Sequence, residues 1–548
     1  MALGVLADQK LEHVPGTAPL SHKDNAMFEV PGFDERLLKH DTTGKIVLIP
    51  QPSSSCNDPY NWSRFKKAKI VISFILASVT VGVVAPVLAP AYVTLAHEWN
   101  VTLTKFVLGT TGSSVAGSAF ASLFVNTLSI QFGKRPLYLM AAIGLMVGSF
   151  WGAAAHSFTS YVASRTWVGI WMAPLEALIP TTIADVWFVH ERGFYNGLFN
   201  FAFMTGVNLA TPISGPIIQS AGWRTALWGH GGFSGFVAIV VFFFMPETAF
   251  HRDSALDIDV HAVGTVEPKP VLEPKAEGSV EQAESPASNA ASEQSQGFTD
   301  TPTPYWRELL PWSGYYHPVS YHHSLWQCAR LLVCPTVLWA CLTFTIAVSC
   351  LVLVSLTISQ IFAAPPYNFS IRSVGAVNVS SFVATMLGAV LAGPLLDGLS
   401  RFMSKSNKGI FEPEFRLPAM IVYICTTATG FFAWGQALYA QDPWPIPVIV
   451  CLGLISIGVQ ISIACCVTYV IDCHRDKAPE VMAVMNLARN AFALGMSFYV
   501  NDWLVEQDVR YAFFTMGGIH IGVALLAIPM YIWGKRARSF AFRHGLSE

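Results

Sequence analysis

The chain has 548 residues, of which 53% are hydrophobic and only 12% charged, and its mean hydropathy is +0.45. With so few charges it cannot cover a water-facing surface of this size, which excludes an ordinary soluble domain. The formal net charge of −2 provides no basic field, so nucleic acid is not an expected partner.

Residues 1–50 are mixed and polar, without an apolar stretch followed by a cleavage site. They read as a largely unstructured cytosolic tail rather than a signal peptide, which leaves the first span as the internal signal. Apolar runs long enough to cross a bilayer then follow at about 69–92, 104–128, 136–155, 159–182, 194–217 and 225–245. A second set lies at about 335–359, 374–396, 417–438, 447–471, 481–500 and 512–533. The fold class is an all-α polytopic membrane protein with about twelve spans. Its parts are a tail (1–66), a six-helix half (67–250), a linker (251–330), a second half (331–535) and a tail (536–548). The linker is acidic and rich in Pro, Ser and Ala, a composition that cannot bury enough apolar surface to order itself. Aromatic residues from Tyr305 to Trp326 suggest an interfacial helix before the seventh span. Two halves around a long loop point to a duplicated transporter whose site lies at mid-membrane between them.

Lys134 and Arg135, Arg192, Arg401, Lys405, Arg416, Arg475, Lys477, Lys535 and Arg536 all fall on one side if the count is twelve. The positive-inside rule places that side, and both termini, in the cytosol. The 10 cysteines form no C-x-x-C pair and lie mostly in apolar runs. They read as small buried hydrophobes, with no metal site and no cofactor expected.

The loop after the second span reads Phe132-Gly133-Lys134-Arg135-Pro136. Gly allows a tight turn, the cations face the cytosol, and Pro can open the third span. This resembles the signature between the second and third helices of the major facilitator superfamily. Two upstream positions of that signature, Gly and Asp in the family, hold Asn126 and Ile130 here, so the gating Asp is missing. Gly393-Pro394-Leu395-Leu396-Asp397 repeats the Asp-bearing front of the signature after the eighth span. Arg165, Gly169 and Ala173-Pro174-Leu175-Glu176 resemble the fourth-helix motif whose Arg is linked to proton coupling. Gly206, Pro212 and Gly215 look like a degraded antiporter motif, with Thr211 and Ser214 in place of glycines. Pro246-Glu247-Thr248 is a frequent ending of the first half in these carriers. The stretches Asn57–Trp62, His190-Glu191-Arg192-Gly193, Gly222-Trp223-Arg224 and Asn407–Leu417 narrow the likeness to fungal twelve-helix drug:proton antiporters. The resemblance covers about 57–250 and 330–540. It implies gating roles for Gly133, Lys134, Arg135, Arg192, Pro212, Gly215 and Asp397.

An ionisable group at membrane depth usually faces a cavity or a partner. Arg165 and Glu176 share one helix face, roughly 16 Å apart along the axis. Glu176 is the candidate proton carrier and Arg165 its tuner. The competing readings are a hydrogen bond from Glu176 to a neighbouring helix and a tie from Arg165 to backbone carbonyls. Asn486, Arg489 and Asn490 form a polar face on the eleventh span, read as a cavity wall, a partner for Glu176, or interhelical glue. Asn200 and Asn208, Tyr469, Trp171 and Phe203 are further cavity candidates. Asn100 and Asn368 begin glycosylation sequons in expected external loops.

The expected function is secondary active transport of a small organic solute, as proton-coupled efflux of a drug-like compound or secondary metabolite. The alternatives are an importer of an organic nutrient or amine, and a nutrient sensor on the same scaffold. No enzymatic constellation and no Walker A sequence are present. The expected partners are the solute, protons and the lipid bilayer. The expected form is a monomer in the plasma membrane, or else in the vacuolar membrane. Tags in the 251–330 linker and at Glu548 should both be digested from the cytosolic side in a protease-protection assay. Tags on opposite sides would defeat the twelve-span count.

Overall fold

Apolar runs become helices here because a bilayer offers no hydrogen-bond partner to an open backbone. The computed structural model describes residues 3–6, 14, 17–19, 52–53, 55–250, 303–312, 314, 326, 329–407, 410–474, 477–498, 500–506 and 508–545. The first half contains α1 (Arg64–Glu98), α2 (103–132), α3 (Arg135–Ala154), α4 (Phe158–Val186), α5 (Val189–Ala221) and α6 (Trp223–Phe244). The second contains α7 (Pro335–Phe362), α8 (Ile371–Ser406), α9 (Pro413–Tyr439), α10 (Ile446–Cys473), α11 (Ala478–Ser497) and α12 (Val509–Arg543). Ten of these are long and apolar enough to cross a membrane, and the other two are α2 and α11. α11 carries the polar Asn486, Arg489 and Asn490. The described strands are one antiparallel pair, Ala18–Pro19 (β1) with Ile410–Phe411 (β2).

Several helices outrun the apolar stretches that announce them. α8 extends to Ser406 and α12 to Arg543. Hydropathy marks what lipid touches, but a charged turn stays helical where protein covers it. Arg538, assigned by sequence to the C-terminal tail, is therefore helical and buried, bonding Glu412 at 2.9 Å and Glu414 at 2.8 Å. Burial alone would push the Glu412 carboxyl up, but Arg538 and Lys535 hold it below its usual range.

The two ends of the expected domain plan also differ. The described positions within 3–19 of the N-terminal tail dock on the second half. Leu6 N–H donates to Ile532 O at 3.0 Å, Tyr531 hydroxyl to Leu3 O at 2.7 Å, and Thr17 hydroxyl to Glu412 at 2.9 Å. The far end of the linker returns to the first half. A single helical turn, Tyr305–Glu308, places Glu308 2.6 Å from Lys66 and sends the Tyr305 hydroxyl to Phe243 O at 3.0 Å. The rest of the interfacial helix expected over 305–326 falls largely outside the described residues. Residues 251–302 lie outside the described set.

Glycines set how closely the helices cross. A Cβ on Gly82 would stand 2.4 Å from Phe203 O, and one on Gly206 2.4 Å from Val79 O, so α1 and α5 meet backbone to backbone. Gly117 and Gly169 do the same for α2 and α4. Gly215 on α5 and Gly375 on α8 bring the two halves together, with Thr211 O 2.4 Å from where a Gly375 Cβ would lie. Small residues permit such contacts in membranes, where packing and hydrogen bonds replace the hydrophobic drive. Around this contact Asn378 donates to Thr211 Oγ1 at 2.7 Å, Ser359 to Pro90 O at 3.3 Å, and Arg372 N–H to Gln219 at 3.0 Å. These ties close the halves together at the end opposite the basic loops. Asn100 and Asn368 are exposed at that same end. The hydroxyls of their sequons, Thr102 and Ser370, cap the helices that follow.

Gly375→Ala should destabilise the protein by about 1–3 kcal/mol through overpacking. Gly393→Ala, whose Cβ meets nothing within 4 Å, should not. Thermal unfolding of the two purified variants checks this, and equal stability would refute the close-contact reading.

Candidate functional site

α1 is interrupted where it reaches the centre. Pro86 and Pro90 have no N–H to donate, and the helix gives way after Val84. A 3-10 step at Ala89–Ala91 precedes its resumption at Tyr92. The freed carbonyls find side chains instead. Arg165 on α4 donates to Val84 O, and the Tyr92 hydroxyl reaches Ala85 O at 3.1 Å. Tyr92 also bonds Thr111 at 2.9 Å.

A cavity opens beside this break, with about 780 Å³ of non-protein space counting the part open to solvent. α1, α2, α4 and α5 of the first half and α7 and α11 of the second form its wall. Most of that wall is apolar, including Val81, Met172, Phe203, Val207, Val352 and Leu356. The polar exceptions are Thr111, Glu176, Ser349, Ser355, Arg489 and Asn490.

One network of polar groups crosses the cavity. Arg489 Nη2 stands 2.9 and 2.8 Å from the two oxygens of Glu176, and both side chains are over nine-tenths buried. The same guanidinium donates to Asn490 Oδ1 at 3.0 Å, and the Asn490 amide donates to Ser118 Oγ at 3.1 Å. The Phe203 ring lies 5.6 Å from the Arg489 guanidinium carbon, within cation–π range. The chain of contacts runs α4–α11–α2, so it joins the two halves.

Of the nominated residues, Glu176, Phe203, Arg489 and Asn490 line this cavity. Five others do not. Trp171 packs against Gly144 on α3. Tyr469 is buried in the second half in edge contact with Trp339, near Glu414 and Gly534. Asn200 bonds Asn196 O in its own helix at 3.1 Å. Asn208 bonds Thr385 across the halves at 3.2 Å, and Asn486 is buried on α11 away from the cavity wall. The expectation that Arg165 faces the cavity also fails. It is 2% exposed and braces the α1 break, so the cation facing Glu176 comes from α11. Helical spacing could not discriminate these cases, because a polar residue on a span serves a neighbouring helix as readily as a cavity. Ser118, Thr111 and the α7 serines were missed. The signal available for the α1 wall was the pair of prolines within one apolar run.

The loop motifs sit at the basic end. Gly133 turns with φ +85°, a conformation glycine tolerates. Lys134 Nζ pairs with Asp185 at 2.6 Å. Glu247 accepts from the backbone N–H groups of Lys134 and Arg135 at 3.0 Å each. Arg192 reaches the Tyr60 hydroxyl at 3.0 Å and Ala184 O at 2.9 Å. In the second half Arg416 pairs with Asp472 at 2.8 Å and stands 3.7 Å from Asp397. Pro212 lies within α5, one turn before Gly215 at the contact between halves.

The sequence pattern of the Major Facilitator Superfamily matches residues 70–497. The chain belongs to that superfamily. It is a multi-pass membrane protein and a secondary transporter by family and fold. It is 26% identical to an uncharacterized MFS-type transporter of Schizosaccharomyces pombe, over 97% of this chain and 94% of the relative. Protein HOL1 of Saccharomyces cerevisiae is 24% identical, over 97% and 96%. A probable efflux pump, mfs2, of Aspergillus flavus is 22% identical, over 82% and 98%. Among solved structures, the proton:xylose symporter XylE matches with a TM-score of 0.58 at 14% identity, covering 86% of this chain and 97% of that one. That likeness is one of fold.

Removing one member of a buried ion pair strands the other charge, at about 3–5 kcal/mol. Arg489→Gln and Glu176→Gln should each lower the unfolding temperature, and the double variant should lose less than the two losses combined. Additive losses in that cycle would show that the pair does not couple α4 to α11.

Proposed function

We propose that this transporter exports a small organic solute, a drug-like compound or secondary metabolite, across the plasma membrane in exchange for protons. The observation that carries this reading is the Glu176–Arg489 pair in an otherwise apolar cavity between the halves. The apolar wall suits a solute with a hydrocarbon or aromatic body. Thr111, Asn490 and the α7 serines offer hydrogen bonds to its polar groups. Glu176 supplies what a proton gradient needs, a group that can be charged in one state and neutral in another. A proton on Glu176 releases the Arg489 guanidinium for a solute oxygen. The likeness to a probable efflux pump supports the outward direction.

A second reading is import of an organic nutrient or amine. Among the described residues Glu176 is the only carboxylate on the cavity wall, and a cationic amine has the chemistry to take the place of Arg489 there.

Metabolite profiling of cells with and without the protein, inside and outside, identifies the solute and its direction. With that solute in proteoliposomes, Glu176→Gln should abolish uptake driven by a pH gradient while leaving passive exchange measurable. Glu176→Asp should keep part of the driven rate. A Glu176→Gln variant that still concentrates solute at the wild-type rate with unchanged pH dependence would sink the coupling proposal.

A further inference from the structure

A second cleft lies where α1 begins, well away from the central cavity, with about 440 Å³ of non-protein space. Its charged wall is Lys66 and Lys69 from α1, Arg135 from the start of α3, and Glu308 from the returning linker. Three cations thus face one carboxylate. Glu308 is engaged with Lys66 at 2.6 Å. Arg135 is 2% exposed and lies behind the wall, donating to the backbone carbonyls of Phe242 at 2.7 Å, Leu310 at 3.0 Å, Leu309 at 3.1 Å and Met245, with Glu247 and Glu308 near enough to offset its charge. The nearby Glu247 turns its carboxylate to the backbone N–H groups of Lys134 and Arg135.

Lys69 is the informative member. Among the described residues its ammonium has no ion pair and no hydrogen-bond acceptor. It lies instead against three rings, 4.8 Å from Phe65 and 5.7 Å from both Phe244 and Tyr305. An ammonium held this way on one side keeps donors free on the other. The surroundings place it at the membrane surface. Phe65 is 73% exposed and Trp306 79%. Aromatic residues exposed at the ends of spans sit at headgroup level.

We propose that Lys66 and Lys69, with Arg135 buried behind them, form a binding site for the phosphate-bearing headgroup of an anionic phospholipid, taken from the leaflet that faces the basic loops. The headgroup phosphate accepts from Lys69 and competes with Glu308 for Lys66. The acyl chains lie along the exposed rings of Phe65 and Phe243. A free phosphate satisfies the cations but leaves that aromatic rim uncovered. Because Glu308 and the carbonyls of Leu309 and Leu310 close the cleft, the lipid touches both α1 and the end of the linker. The site is independent of the transported solute, and its assignment to the cytosolic leaflet follows the Lys/Arg asymmetry.

The test titrates the full-length protein in neutral detergent with dioleoyl-phosphatidylserine and follows bound lipid by native mass spectrometry. Saturable binding is expected, with dioleoyl-phosphatidylcholine much weaker and inorganic phosphate unable to displace the lipid. Lys69→Gln should weaken binding about fivefold, and Lys66→Gln with Lys69→Gln by more than about tenfold, while Lys69→Arg retains it. In the wild type, raising ionic strength from about 0.1 to about 1 M should also weaken it, a measurement that needs no variant. Equal binding by the double variant, equal binding of phosphatidylcholine, displacement by inorganic phosphate, or no saturable binding would each overturn the site.

Discussion

No water waits inside a bilayer to accept a hydrogen bond, so each polar group of this chain at membrane depth has to be met by another part of the chain. That constraint makes every span helical, and it also governs the exceptions. Where Pro86 and Pro90 interrupt α1, Arg165 and Tyr92 arrive from α4 and from α1 itself to take up the open carbonyls. Where α5 crosses α1, glycines at 82 and 206 let backbones pack directly, without side chains between them. The central cavity exists because the broken helix leaves a gap that no side chain fills. Several of its polar groups follow the same rule, Glu176 bonded to Arg489, Asn490 to Ser118 and Thr111 to Tyr92.

The Glu176–Arg489 pair obeys the rule at the highest stakes. A buried ion pair contributes little net stability, since desolvation offsets most of the attraction, but losing one partner costs about 3–5 kcal/mol. Such a contact is better suited to switching than to holding. Its members sit on α4 and α11, in different halves, so neutralising Glu176 weakens an attraction between the halves themselves. Small shifts at a charged site reach large elements when packed interfaces have discrete arrangements. The close glycine contact at 215 and 375, with the Asn378–Thr211 bond beside it, attaches the halves at another point.

The ends near the basic loops show the internal repeat at the level of individual bonds. Lys134–Asp185 in the first half and Arg416–Asp472 in the second each join the start of one helix to the end of the next. In the second half Asp397 adds a third charge at 3.7 Å. The corresponding place in the first half holds Ile130, which is 37% exposed, and there the lysine pairs with Asp185. The missing Asp therefore leaves the loop fastened, with one carboxylate fewer.

The all-helical membrane fold and the family were legible in the sequence because each rests on local information. Apolar length decides insertion, and the Gly133–Pro136 turn and its neighbours are contiguous motifs. The same locality explains the overruns, since a hydropathy run ends where lipid ends, while α12 continues to Arg543 because Glu412 and Glu414 cover Arg538. Only the tertiary structure decided which polar residues share the cavity. Glu176 and Arg489 are 313 positions apart, and no spacing rule joins them. Arg165 and Tyr469 carried the same kind of sequence signal as Arg489, yet one braces a helix break and the other packs inside the second half. Helical periodicity puts a residue on a face; the rotation of that helix among its neighbours determines what the face meets, and that rotation is set by close contacts such as Gly117 against Thr166 O and Gly169 against Ser114 O, which form only when the bundle assembles.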